Sequence, residues 1–278
     1  MSYIYEPTGR AREYAPLALN LFTGCPHGCA YCYARRRWHT TGCEPRPRFD
    51  TPQKWRALRG EVLRLADDPR PVLLCFTCDP LPWTGTGDAY RQTEAAVQLL
   101  LDGRLRLRLL SKGGVVTPRL LTLMRRSPGR IEFGQTLTYT NVAGVACFEP
   151  GAAAFGDRVR ALLQARDAGC KTFVSLEPLV DVAGLLLWLS DVEGHGVSAG
   201  KYVDRFNVGG PPNYWREAEP VRPGDLAELL RALKGTGAAV GLKRDAWELL
   251  RKGGPDCETA ADGCEPLWEA PGTALRLT

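Results

Sequence analysis

Short apolar runs alternate with longer amphipathic stretches along this chain, the pattern of repeated βα units. The runs Leu17–Phe22, Val72–Thr77, Leu105–Leu110, Ile131–Leu137, Thr172–Leu176, Arg205–Val208 and Ala239–Leu242 read as strands. Between them, Pro52–Ala66, Asp88–Leu101, Pro118–Arg125, Asp157–Ala168, Gly184–Leu189 and Asp225–Lys234 read as helices. The first of these carries Thr51 as N-cap and Pro52 at its first position. Gly103, Gly169 and Gly235 stand where helix C-caps belong, just before the next strand. Six or seven such units predict an α/β fold, a partial or near-complete TIM-like barrel. The expected organisation is one domain over 1–278, with a barrel core over 14–245 and an extension over 246–278. The tail from Gly253 lacks periodicity and is expected to wrap the barrel.

In barrels of this kind, function gathers at the C-terminal ends of the strands. Polar residues stand where each apolar run stops: Thr77-Cys78-Asp79, Ser111-Lys112, Thr136 and Thr138, Glu177, Asn207, and Lys243-Arg244. The first run ends at Cys25-Pro26-His27-Gly28-Cys29-Ala30-Tyr31-Cys32. Taken singly, each is an ordinary strand-end residue. Together they converge on one barrel mouth.

The 278 residues are 44% hydrophobic and 24% charged, the values of an ordinary globular protein. No stretch reads as a signal peptide or a membrane span. Ten cysteines without export features imply reduced thiols, a metal or redox role, and the cytoplasm. No membrane partner is implied, and a monomer is expected. The net charge of +5 permits a basic face toward nucleic acid without demanding one. Arg35-Arg36-Arg37-Trp38, with Arg46 and Arg48 nearby, is the candidate for such a face; a solvated helix face carrying Arg by codon bias is weighed ahead of it.

Cys25, Cys29 and Cys32 carry the chemistry. Three thiolates spaced C-x3-C-x2-C select an iron–sulfur cluster or zinc. A four-iron cluster takes four thiolates when saturated, so three leave one iron open to a ligand. Gly24 and Gly28 suit a loop folded tightly around an inorganic core. The zinc alternative, a nucleic-acid-contacting module without catalysis, would be completed by Cys43, His27 or His39. An electron-transfer iron–sulfur protein is a third reading. Cys75 and Cys78 also form C-x2-C, but residues three apart on a strand face opposite ways, so they are not expected to chelate together. Cys257 and Cys264 are too few for a second cluster unless Cys43, Cys147 or Cys170 joins them.

The cysteine motif, with Tyr31 before its last cysteine and Leu19-Asn20-Leu21-Phe22-Thr23-Gly24 ahead of it, resembles that of the radical S-adenosylmethionine (radical SAM) superfamily, and within it the spore photoproduct lyase-like branch. The likeness extends through Thr77-Cys78-Asp79-Pro80, Ser111-Lys112, Phe148-Glu149-Pro150-Gly151 with Arg158, and Ser175-Leu176-Glu177-Pro178. It implies a (β/α)6–7 barrel of the radical SAM type. It also implies a [4Fe–4S] cluster on Cys25, Cys29 and Cys32, with S-adenosylmethionine chelating the fourth iron. Reductive cleavage would give a 5′-deoxyadenosyl radical that takes hydrogen from a substrate, nucleic acid among the candidates and DNA repair or nucleic-acid modification among the roles. An electron donor such as flavodoxin or ferredoxin is implied as partner. On this resemblance the cofactor-binding residues are Tyr31, Thr77, Asp79, Ser111, Lys112, Thr136, Thr138, Glu177 and Asn207, with Lys112 on the S-adenosylmethionine carboxylate. Tyr33 and Cys78 are the catalytic candidates. Lyases of the branch use a second-strand cysteine as hydrogen donor; here Phe76 falls at that position, with Cys75 and Cys78 displaced, so a relative acting on another substrate is expected.

Overall fold

The computed structural model describes residues 2–34, 42–84, 87–190, 199–212 and 220–268. The strands are β1 (Ile4–Tyr5), β2 (Leu17–Leu19), β3 (Phe22–Thr23), β4 (Arg46–Pro47), β5 (Val72–Leu74), β6 (Leu107–Ser111), β7 (Ile131–Thr136), β8 (Lys171–Leu176), β9 (Arg205–Val208), β10 (Ala239–Leu242) and β11 (Glu265–Pro266). Nine of them form one sheet, ordered β1-β2-β5-β6-β7-β8-β9-β10-β11. All its neighbours are parallel except β1, which runs antiparallel to β2. The remaining two, β3 and β4, pair separately beside the cysteine loop.

Each of the seven apolar runs therefore holds a strand, in the order of a barrel wound by βα units. Among the helices between them are Pro52–Arg64, Gly87–Asp102, Pro118–Arg126, Phe155–Asp167, Val182–Ser190 and Pro223–Gly235. Local chemistry sets their starts. Thr51 Oγ1 accepts from the Lys54 amide at 3.3 Å, and Thr117 Oγ1 from the Leu120 amide at 3.2 Å, each just ahead of a proline at the first helical position.

Two expectations need correction. The second run stops pairing at Leu74, three residues early, because Asn20 Oδ1 takes the Phe76 and Thr77 amides at 2.8 and 2.9 Å. Among the proposed C-caps only Gly169 has positive φ; beside the other two, Arg104 and Gly237 do that work. Within the extension, Pro255–Glu258 is helical and β11 adds to the sheet beside β10.

The outer face of the sheet meets the helices through Val72, Leu74, Leu107, Leu109, Phe133, Val174 and Phe206, all buried. The inner face is different. Along β7 the inward positions Glu132, Gly134 and Thr136 alternate with outward Ile131 and Phe133. Phe173 lies flat on Gly134, Arg108 sits 5.4 Å over that ring and pairs with Glu132, and this group plugs the barrel floor. Above the plug the interior opens as a cavity at the C-terminal strand ends.

Candidate active site

A cavity of about 850 Å³ occupies the barrel mouth. That is ample for a nucleoside-sized ligand with room beside it. Cys25, Cys29 and Cys32 all open on it, together with Tyr31, Tyr33, Thr77, Cys78, Asp79, Ser111, Lys112, Thr136 and Glu177. Of the residues expected at the site, Thr138 and Asn207 lie outside its lining. Thr138 sits behind Tyr31, 3.4 Å from its hydroxyl, and Asn207 is buried deeper in the barrel.

The cysteine loop is built by backbone geometry. Gly24 has φ +95°, and a Cβ there would lie 2.8 Å from the Glu44 carbonyl oxygen, so only glycine fits. The Gly42 and Cys43 amides both donate to the Cys25 carbonyl, at 2.7 and 3.1 Å, closing the loop. Burial pushes the Cys25 thiol up to about 12, with the nearby Asp79 carboxylate adding to the rise, while the His27 amide donates to its sulfur. Burial likewise raises Cys29, against the pull of Lys112.

His27 anchors the loop to the strand ends. Its Nε2 accepts from the Trp83 amide at 3.3 Å and its Nδ1 faces Asp79 Oδ2 at 3.5 Å. Burial lowers its pKa, although Asp79 opposes the shift, so the ring stays neutral. In this arrangement the Trp83 amide takes Nε2 and the Asp79 carboxylate stands beside Nδ1. Among the described residues no group of three or more His, Cys, Asp or Glu is arranged to hold a single metal ion. Cys43 is exposed, and His39 and the Arg35–Trp38 run lie outside the described residues.

Asp79 and Ser111 differ from the sequence expectation in what their polar atoms do. Asp79 Oδ1 accepts from the Leu81 amide at 2.8 Å and from Ser111 Oγ at 2.7 Å, while Oδ2 accepts from the Lys112 amide at 2.7 Å. Ser111 Oγ in turn accepts from the Gly113 amide at 2.8 Å. These two side chains brace the strand ends and leave little for a ligand. The Lys112 ammonium, by contrast, reaches 5.5 Å from the centre of the Tyr31 ring, inside the cavity wall.

Beneath the loop lies a charged pair with no solvent exposure. Arg158 Nη2 donates to Glu149 Oε2 at 2.6 Å, and its other nitrogens donate to the Ala153 and Thr136 carbonyls at 2.9 Å each. The Tyr31 hydroxyl donates to Glu149 Oε1. Burial would raise Glu149, but Arg158 and Lys112 together bring its pKa below the ordinary carboxylate value. The same stretch holds the cysteine loop through Ala30 N to Phe148 O and Gly151 N to His27 O, both 2.9 Å.

On the opposite rim Glu177 pairs with Lys243, which is fully buried, and accepts from the Tyr14 hydroxyl; the Lys243 ammonium lies 3.2 Å from the centre of the Tyr14 ring. In the sequence Lys243 is visible only as a polar residue at a strand end. Asn20 and Ser175 are likewise visible only inside longer motifs. Thr136, Ser175 and Asn207 stand in register on β7, β8 and β9, facing into the barrel, and Ser175 Oγ and Asn207 Oδ1 have no hydrogen-bond partner among the described residues. Buried unpaired oxygens in one row below the cavity suit a polar ligand or water that supplies the missing bonds.

Residues 19–180 match the sequence model of the family described as "Radical SAM superfamily". Among solved structures, a spore photoproduct lyase variant is 17% identical with a TM-score of 0.63, covering 86% of this chain and 79% of that one. A spore photoproduct lyase variant with bound AdoMet and dinucleoside spore photoproduct is 16% identical with a TM-score of 0.55; the match covers 80% of this chain but 61% of that one. SuiB from Streptococcus suis bound to S-adenosylmethionine is 12% identical with a TM-score of 0.53, covering 81% of this chain and 49% of that one. No curated protein matches.

Proposed function

Because the chain belongs to the radical SAM superfamily, we propose that it is an enzyme that cleaves S-adenosylmethionine reductively at a [4Fe–4S] cluster. When bound, the cluster and S-adenosylmethionine supply a 5′-deoxyadenosyl radical able to abstract hydrogen from carbon. Cys25, Cys29 and Cys32 would hold the cluster. The observation that carries this reading is their convergence on one cavity with the Lys112 ammonium.

The chain's own residues then divide the labour. Lys112 binds a carboxylate, a charge-assisted contact in a largely buried site. Thr136, with Ser175 and Asn207 below it, offers hydroxyl and amide partners to a ribose. Tyr31 supplies ring surface and is locked by Glu149. Tyr33 donates to the Phe76 carbonyl at 2.9 Å and so ties the cysteine loop to the Phe76–Cys78 segment. Burial, and a hydrogen bond that the Cys78 thiol donates to Cys75, keep Cys78 protonated, as a hydrogen-atom donor must be. Tyr5, Tyr14 and Phe76 give part of the cavity an aromatic wall. We assign it to a planar, base-like portion of the substrate, which makes a nucleic-acid component the favoured class. A flavodoxin- or ferredoxin-type protein would supply the electron.

The test is anaerobic reconstitution with iron and sulfide, followed by S-adenosylmethionine and a strong reductant. We expect iron and acid-labile sulfide in the purified protein and 5′-deoxyadenosine among the products. Both should be lost in Cys29→Ala. A wild-type protein that binds zinc in place of iron, or that loads a cluster yet never yields 5′-deoxyadenosine, refutes the assignment.

A further inference from the structure

Cys75 and Cys78 do not face opposite ways. Because β5 ends at Leu74, the chain turns between them and their thiols come within hydrogen-bonding reach. Both line the cavity that the three loop cysteines share. Each sulfur also receives a backbone N–H from the segment after β2. The Leu21 amide donates to Cys75 Sγ at 3.3 Å, and the Phe22 amide donates to Cys78. The residues between the two cysteines are pinned by Asn20 and Tyr33, so the pair is held together by its surroundings rather than by chance contact.

We propose that Cys75 and Cys78 form a redox dithiol, in which Cys78 gives a hydrogen atom to a carbon-centred radical in the cavity and the pair then closes to a disulfide. The proposal rests on the reading above that such a radical is formed there. In the first step the Cys78 S–H bond breaks, the radical becomes a C–H bond, and a thiyl remains on Cys78. Cys75 then loses its proton to water and its sulfur bonds to the thiyl, giving a disulfide radical anion. That species passes one electron to a one-electron carrier of the iron–sulfur or flavin class and leaves a neutral disulfide. Two thiols have then lost one hydrogen atom, one proton and one electron. An external dithiol of the thioredoxin class returns the pair to its starting state by exchange. A single thiol in this position would leave a thiyl with no partner; the neighbour turns a one-electron event into a closed-shell product.

The experiment reads one peptide. Trypsin releases Leu65–Arg91, because the bond between Arg70 and Pro71 resists cleavage, and that peptide holds Cys75 and Cys78 and no other cysteine. The full chain is equilibrated anaerobically in glutathione buffers of rising oxidised fraction, quenched in acid, alkylated and digested. We expect the peptide to lose two hydrogens and take no alkyl group, through an internal disulfide, while Cys75→Ser and Cys78→Ser stop at a glutathione adduct. A wild-type peptide that remains doubly alkylated, or stops at the adduct, overturns the dithiol. In a second arm the reconstituted protein cleaves S-adenosylmethionine in D2O with titanium(III) citrate. Deuterium should enter 5′-deoxyadenosine from the exchanged Cys78 thiol and be lost in Cys78→Ala; an unchanged label overturns the donor role. The glutathione arm needs no cluster, so absence of 5′-deoxyadenosine strikes the radical reading and the donor role, separately from the dithiol itself.

Discussion

Asp79 distinguishes a cofactor ligand from a structural brace, and replacing it with asparagine separates the two. The carboxylate collects the Leu81 and Lys112 amides and the Ser111 hydroxyl, at 2.7–2.8 Å, with His27 close by, and is 7% exposed. In Asp79→Asn the side chain would keep one oxygen. Its new amide nitrogen would meet either the Lys112 amide or the donors on the other side, leaving a buried N–H unpaired at about 1–3 kcal/mol. The surviving bonds lose the help of a full charge, at about 1 kcal/mol each. The total is about 3–5 kcal/mol, which for a chain of this size lowers the melting temperature by about 5–9 °C. The assay is urea unfolding of the cluster-free protein, followed by tryptophan fluorescence, with the midpoint compared at unchanged slope. Asp79→Asn should unfold at markedly lower urea. A loss below about 1 kcal/mol accompanied by weaker S-adenosylmethionine binding in the loaded protein would refute the bracing argument and return Asp79 to the cofactor.

Three further outcomes follow from the same geometry. Glu149→Gln strands the buried Arg158 charge and should cost about 3–5 kcal/mol near neutral pH. Because the folded-state pKa of Glu149 lies below its ordinary 4.5, the wild type holds this contribution above that pH and loses it as pH falls through the depressed value; the urea midpoint of Glu149→Gln should fall less steeply on that limb. Gly151→Ala would put a Cβ 2.4 Å from the Pro26 carbonyl oxygen and 2.8 Å from His27 Cα, so it should cost about 1–3 kcal/mol and lower the iron bound per chain, measured after reconstitution. Lys112→Met should weaken S-adenosylmethionine binding by about ten- to a hundred-fold in isothermal titration, with iron content unchanged.

How far the sequence is legible depends on whether a feature is local. The seven strands are readable because apolar runs bounded by turn residues need no knowledge of distant partners, and the N-caps Thr51 and Thr117 answer to the next few amides alone. Where a remote group intervenes, local reading fails. Gly103 has the look of a C-cap but is glycine because a Cβ there would lie 2.2 Å from Val62 Cγ1, on another helix. Cys75 and Cys78 read as opposite faces of a strand because nothing near them announces that Asn20, on a different run, ends the pairing at Leu74. The site shows the same division. The cysteine spacing places the thiols in one loop, and the polar residues at strand ends converge because parallel strands in a barrel must end at one rim. Which of those residues remain available to a ligand is a matter of pairing across the mouth: Asp79 with Ser111 and His27, Glu177 with Lys243, Tyr31 with Glu149. Such pairing leaves no trace in residue order. A polar residue at a strand end is therefore a candidate for the rim and no more, and only the count of its hydrogen bonds separates a brace such as Asp79 from a side chain left open to the cavity such as Lys112.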